Sequence, residues 1–288
     1  MGAHTTLAAG VYLIGKPATV YFPLLALALV RFAIAAVGFT ILVAVRRLDL
    51  AGPFREHRGA FLLAAFLGVL VNQVVFLWGL KFTLPAHAAL LYALTPTMVL
   101  LLGWARGIER PSPRKSAGIA LAFSGVVLIF LERSAGALPP RWILGDLLIL
   151  AAVAAWAGYT VVSRPLVLCY GSQRVTALTI LLGSVTLLPL AALGLGGFHP
   201  SLIPAAAWVG ALYLGLIASV AMYLLWFHAL TLREPSRVSI AANGQPILTA
   251  LFGWAFFGQP VSVQFGVGTA LVIAGVISHS CSPGRSAL

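Results

Sequence analysis

Two carboxamides, a glycine and a proline stand in a row, Asn243-Gly244-Gln245-Pro246, within an otherwise apolar stretch, "AANGQPILTALFGWAFF". Amides donate and accept hydrogen bonds without carrying charge, so they suit the recognition of polar solute groups at low dielectric. Gly and Pro are the poorest helix formers, and Pro also removes a backbone donor and obstructs the carbonyl one turn back. In hydrocarbon the released backbone groups would find no water. The break is therefore expected to face a cavity, with Asn243 and Gln245 as substrate-binding groups. The plainer alternative is a kink whose amides hold a neighbouring helix.

Other residues could complete such a site. Six of the seven tryptophans fall near the ends of apolar stretches, where anchoring at the membrane interface accounts for them. Trp156 lies in the middle of one, with Tyr159 and Thr160 within a turn on the same helical face. A buried indole needs a partner, and a cavity with water or substrate supplies it. Tyr12, Asn72, Gln73, Tyr92, Ser219 and Tyr223 occupy comparable depths, and Thr95 stands beside Pro96. For each of these, bonding between helices competes with substrate contact.

Charge is sparse. The carboxylates Asp49, Glu56, Glu109, Glu132, Asp146 and Glu234 all fall in loops or at the ends of apolar stretches. That leaves His228 as the candidate coupling residue, against a snorkelling or capping role. Lys16 and Arg164 could cap helix C-termini or guide an anion. Arg31 is expected to bond to carbonyls of the connection before its helix, leaving no cation at mid-depth for a phosphate-bearing solute. No metal-ligand spacing and no catalytic cluster stands out, so neither metal, cofactor nor enzyme activity is expected.

These residues need elements to position them. The chain has 288 residues, 61% hydrophobic and 8% charged, with a mean hydropathy of +1.03. No soluble domain carries that composition without exposing most of its apolar surface. About 20 apolar residues span a bilayer core, and ten stretches qualify: 3–20, 24–45, 60–80, 86–105, 116–131, 145–163, 175–195, 206–228, 236–257 and 264–280. The first reads as a retained helix rather than a signal peptide, since it lacks a basic start and a cleavage site. With the N-terminus inside, 13 of the 18 Lys and Arg fall on the cytoplasmic side. Both termini are then cytoplasmic, and the net charge of +12 reflects topology and anionic headgroups rather than nucleic acid. Cys169 and Cys281 share the reducing side, so no disulfide is expected.

The chain also repeats itself. Residues 85–126 align without gaps on 235–276 at an offset of 150, pairing Pro85/Pro235, Pro96/Pro246, Gly103/Gly253, Trp104/Trp254, Gly118/Gly268 and Gly125/Gly275 as identities. Each copy holds an odd number of spans, so the second enters the membrane from the opposite side. The expectation is an all-α integral membrane protein of ten transmembrane helices in two inverted five-helix repeats, 1–131 and 145–280. Inverted repeats are the architecture of secondary transporters, with the site at the repeat interface near the midplane. The breaks at Pro96 and at Gly244-Pro246 are then expected to face each other. Glycines 118, 125, 266, 268 and 275 suit close packing of the two repeats or of a dimer.

The "LALALVRFAIAAV" segment, the "FLGVLVNQVVFLWGLKFT" and "YLGLIASVAMYLLWFHALTL" segments, and the run of Pro, Gly-Trp and Gly closing each half resemble the EamA family of the drug/metabolite transporter superfamily over essentially the whole chain. The resemblance implies a basket of helices 1, 3, 4, 6, 8 and 9 around a central cavity, helices 5 and 10 outside it, alternating access and no ATP. The expected function is export of small metabolites, foremost amino acids with apolar or aromatic side chains, by a facilitative, multi-pass protein of the bacterial inner membrane, monomer or homodimer. A proton-coupled multidrug or other metabolite exporter is the alternative, and a non-transporting receptor or scaffold the alternative of another class.

Overall fold

The computed structural model describes residues 2–105, 112–131, 141–193, 195–232, 238, 245–258 and 262–280. The described residues are helical, joined by short turns. The helices are α1 (Gly2–Tyr21), α2 (Leu24–Arg46), α3 (Ala51–Phe82), α4 (Pro85–Ala105), α5 (Pro113–Phe130), α6 (Trp142–Tyr170), α7 (Ser172–Ala192), α8 (Ala205–Leu232), α9 (Gln245–Phe257) and α10 (Val263–Ser280). Six of them, α2, α3, α4, α6, α7 and α8, are long and apolar enough to cross a membrane. Large apolar side chains such as Val45, Leu193, Phe256 and Val263 point outward, as a lipid-facing surface requires.

Several helices outrun the apolar stretches read from the sequence. α3 begins at Ala51, in the polar "AGPFREHRGA" segment, and α6 runs through Pro165 to Tyr170. Lys16 lies inside α1 rather than at its end. Its ammonium donates to the carbonyls of Leu80 (2.5 Å), Lys81 (3.0 Å) and Thr83 (2.5 Å) at the C-terminus of α3. This is the capping role, where a cation meets the negative end of a helix.

Two features were not legible from periodicity. The middle of α3, Phe66–Val71, and the middle of α8, Tyr213–Ala221, are π-helical. They occupy matching places in the two halves, around Gly68 and Gly215. A π segment leaves carbonyls outside the regular ladder, and such segments gather at functional sites.

α4 changes pitch at Ala93-Leu94, where 3₁₀-type bonds run from Ala93 to Leu90 and from Leu94 to Leu91. Pro96 lacks the N–H that would reach the Tyr92 carbonyl, and the Thr95 hydroxyl donates to that carbonyl instead (2.6 Å). The break is thus tightened and internally satisfied rather than unwound. Of the second break, Asn243 and Gly244 lie outside the described residues, while Gln245 and Pro246 open α9.

α5 and α10 pack along each other. A Cβ on Gly125 would lie 2.6 Å from the Gly268 carbonyl, and one on Gly275 would lie 2.6 Å from the Gly118 carbonyl. The two contacts are images of each other under the 150-residue offset, so the glycines join the ends of the two halves within one chain. Gly266 is not part of this seam and meets open space. Because both carbonyls belong to helix backbone, they have little freedom to move aside. Gly125→Leu is expected to part the helices at a cost of about 1–3 kcal/mol. A detergent melting curve should shift down by several degrees, and an unchanged midpoint would contradict the seam.

Candidate functional site

The site grows from the helices that the two halves present to each other. A cavity of about 90 Å³ is lined by Ala8, Val11 and Tyr12 of α1, Arg31 of α2, Asn72, Gln73 and Phe76 of α3, Tyr92 and Thr95 of α4, Trp156 of α6, Ala218, Met222, Tyr223 and Trp226 of α8, and Gln245 of α9.

Its polar wall is one connected network. The Ala152 carbonyl can only accept, so the bond of 2.7 Å it receives fixes which end of the Asn72 amide is nitrogen. The same nitrogen donates to the Tyr92 hydroxyl (2.8 Å). The Asn72 oxygen must then face Gln73, whose nitrogen donates to it and to the Tyr223 hydroxyl (2.7 Å). Tyr223 passes its own proton to the Gly68 carbonyl (3.1 Å), in the π segment of α3. The orientation of four side chains on three helices therefore follows from one backbone oxygen. The Gln73 oxygen is left buried and without a hydrogen-bond partner among the described residues.

The aromatic wall is equally continuous. Trp156 meets Tyr223 edge to face at 5.2 Å and 82°, and Trp226 at 5.6 Å. Tyr12 sits 6.0 Å from Phe76 and 6.1 Å from Tyr92, and its hydroxyl donates to the Gln245 oxygen (3.3 Å). Such ring pairs add about 0.5–1.5 kcal/mol each beyond burial.

Of the residues singled out in the sequence, Tyr12, Asn72, Gln73, Tyr92, Thr95, Trp156, Tyr223 and Gln245 come together here. Tyr159 and Thr160 do not. Tyr159 stands behind Trp156 (5.4 Å), bonded to Thr179 (2.9 Å), and its ring fills the space a Cβ on Gly68 would need. Helix α6 places Thr160 in the protein interior rather than on the cavity wall. Ser219 acts one step back, through Arg31. Asn243 and Gly244 lie outside the described residues. His228 is exposed on α8, away from the cavity wall.

Three residues were missed or misread. Trp226 is buried in the wall, because the π segment of α8 shifts its face relative to a regular helix. Arg31, expected at the α1–α2 connection, is 2% exposed and turned inward. Its Nε donates to Ser219 Oγ (2.7 Å), and Ser219 in turn donates to the Leu214 carbonyl (2.9 Å) across the π segment. The expectation of no mid-depth cation is thereby corrected. Third, His87 lies near the start of α4, and its Nδ1 is 3.0 Å from Oδ2 of Asp146, which also accepts from the Thr83 hydroxyl. All three side chains are buried, and His87 stacks on Phe265 of α10 at 5.7 Å and 10°. The described structure thus holds a buried titratable pair that the sequence, with Asp146 at the end of an apolar stretch, did not reveal.

A profile of the EamA-like transporter family matches residues 3–131 and, a second time, 143–280. A relative from Archaeoglobus fulgidus, named only as an uncharacterized transporter, is 30% identical over 74% of this chain and 72% of its own length. A probable terminal-alkyne amino-acid exporter from Streptantibioticus cattleyicolor is 28% identical over 87% of this chain and 82% of its own length. A solved crystal structure, 21% identical, superposes with a TM-score of 0.64, covering 96% of this chain and 97% of the other. That likeness is one of fold.

Proposed function

Since the chain belongs to the EamA-like transporter family, we propose that it is a secondary exporter of small metabolites, foremost amino acids with apolar or aromatic side chains. Ten membrane-spanning helices form two inverted halves, 1–131 and 145–280, with both termini on the cytoplasmic side of a bacterial inner membrane. The observation that carries the reading is the cavity wall, where amides and hydroxyls from α3, α4, α8 and α9 stand beside the rings of Tyr12, Phe76, Trp156 and Trp226. Amides orient a small polar head and aromatic faces take an apolar side chain. The relative named as an amino-acid exporter supports the same class.

Pockets for drug-sized molecules occupy about 300–1,000 Å³, so a cavity of about 90 Å³ is a contracted form that solute must widen. Alternating access supplies that step: the halves rock about the fixed site and expose it to one face at a time. Transport is read as facilitative: the described residues of the cavity wall are amides, hydroxyls, rings, aliphatic side chains and one arginine.

Efflux from proteoliposomes preloaded with labelled phenylalanine, leucine or glutamate tests this reading. Saturable efflux of phenylalanine and leucine, unchanged by an imposed pH gradient, is expected. Trp156→Ala is expected to lower it about 10-fold, the scale of one aromatic contact to the solute lost, about 0.5–1.5 kcal/mol. No flux of any amino acid through folded protein would overturn the assignment, and acceleration by the gradient would overturn the facilitative mechanism and point to His87 and Asp146.

A further inference from the structure

Two buried groups of residues that line the cavity, opposite in kind, make no hydrogen bond among the described residues. One is a nitrogen of a cation, Nη1 of Arg31; the other is a neutral acceptor, the Gln73 oxygen. A guanidinium carries five donors. Here Nε is held by Ser219, which fixes the fork, and Arg31 lines the cavity. The described carboxylates do not neutralise it: Asp49 bonds to Ala51 and Gly52, Glu56 to Tyr170, and Asp146 to Thr83 and His87. An arginine at membrane depth is costly unless something pairs with it. A protein that keeps one in a cavity wall has a place for an anion.

From this juxtaposition we infer that Arg31 is the carboxylate anchor of the transport site and that Gln73 accepts from the ammonium of the same solute. The inference rests on the proposed transport function and narrows its substrate class to solutes with a free carboxylate beside an ammonium. Arg31 offers the planar fork that a carboxylate takes up in bidentate fashion. Gln73 Oε1 cannot be exchanged with its nitrogen, because the Ala152 carbonyl sets the amide chain. Ammonium binding then needs no carboxylate in the wall, with the aromatic faces of Trp156 and Tyr223 adding cation–π attraction. Ser219 is a positioning residue, coupling the anchor to the π segment of α8.

The probe is a set of phenylalanine analogues competing with labelled phenylalanine uptake into proteoliposomes of the full chain. Phenylalaninamide keeps the ring and ammonium but has no carboxylate, and 3-phenylpropionate keeps the ring and carboxylate but has no ammonium. A charge-assisted bond lost from a buried partner corresponds to about 10–100-fold in affinity. Wild type is expected to reject phenylalaninamide by that factor. Arg31→Gln is expected to lose the discrimination, taking phenylalanine and its amide equally weakly, while Arg31→Lys keeps part of it. Gln73→Leu is expected to lose discrimination against 3-phenylpropionate alone. Equal competition by phenylalanine and phenylalaninamide on the wild type overturns the anchor while leaving transport intact, and that arm needs no variant to fold. Absence of phenylalanine flux in wild type overturns the transport reading on which the inference stands.

Discussion

Asn72→Leu is expected to abolish measurable transport, a loss of at least about 100-fold, in protein that still reaches the membrane. Leucine has the same number of side-chain heavy atoms as asparagine, branched at the same Cγ, so the outline packed against α6 is kept. What disappears is the hub of the polar wall: the Ala152 carbonyl, the Tyr92 hydroxyl and the Gln73 amide each lose their Asn72 partner. Each buried group left unsatisfied costs about 1–3 kcal/mol. The cavity can supply water to Tyr92 and Gln73, which line it, and so moderates the effect on stability. It does not restore orientation. With Asn72 gone, only the Tyr223 hydroxyl still sets which end of the Gln73 amide faces the solute, and the head of the substrate meets a less ordered polar wall. Flux per folded molecule, with the folded fraction set by size-exclusion chromatography, is the readout. Flux within about two-fold of wild type would contradict the hub.

The second large effect is on stability. Asp146→Ala is expected to destabilise the protein by about 3 kcal/mol, the scale for breaking a buried pair by removing one partner. Asp146 is fully buried and holds Thr83, just past the end of α3, and His87, near the start of α4. It therefore ties the α3–α4 turn to the second turn of α6. Gly145 beside it allows that approach, since a Cβ there would lie 2.7 Å from the Thr83 amide nitrogen. The same turn receives Lys16 from α1. Removing the carboxylate leaves two buried polar groups without this partner at a junction of four helices. Asp146→Asn retains a carbonyl oxygen for the Thr83 hydroxyl and is expected to lose roughly half as much. Melting in detergent over an alanine and asparagine pair checks the order, and equal midpoints for wild type and Asp146→Ala would contradict it.

How much of this was legible in the sequence differs by residue. The apolar stretches, the glycines of the α5–α10 seam and the amides of α3 could be read because each is a composition or spacing that a membrane permits only for a reason. Thr95 was named for its place beside Pro96, and the repair of the Tyr92 carbonyl gives that proximity a physical role. Arg31 was misread because a cation in the early turns of a helix is usually satisfied by nearby carbonyls. Its actual partner, Ser219, lies 188 positions along the chain, and no local pattern points there. Trp226 was misplaced for a related reason: position along an apolar stretch gives depth, whereas the π segment before it decides which way the ring turns. Tyr159 shows the opposite error. It shares a helical face with Trp156 on paper, but α7 and the π segment of α3 close over it, and its ring supports the wall from behind.

Alternating access requires a central cavity that opens to each face of the membrane in turn. Ala218, a small residue of the cavity wall outside the polar network, reports on it as Ala218→Cys in a background with Cys169 and Cys281 replaced by serine. A membrane-impermeant maleimide is added to one face of oriented proteoliposomes or to the other. Labelling from both faces, slowed on each by phenylalanine, is the result expected. Labelling from one face only, indifferent to phenylalanine, would contradict the account.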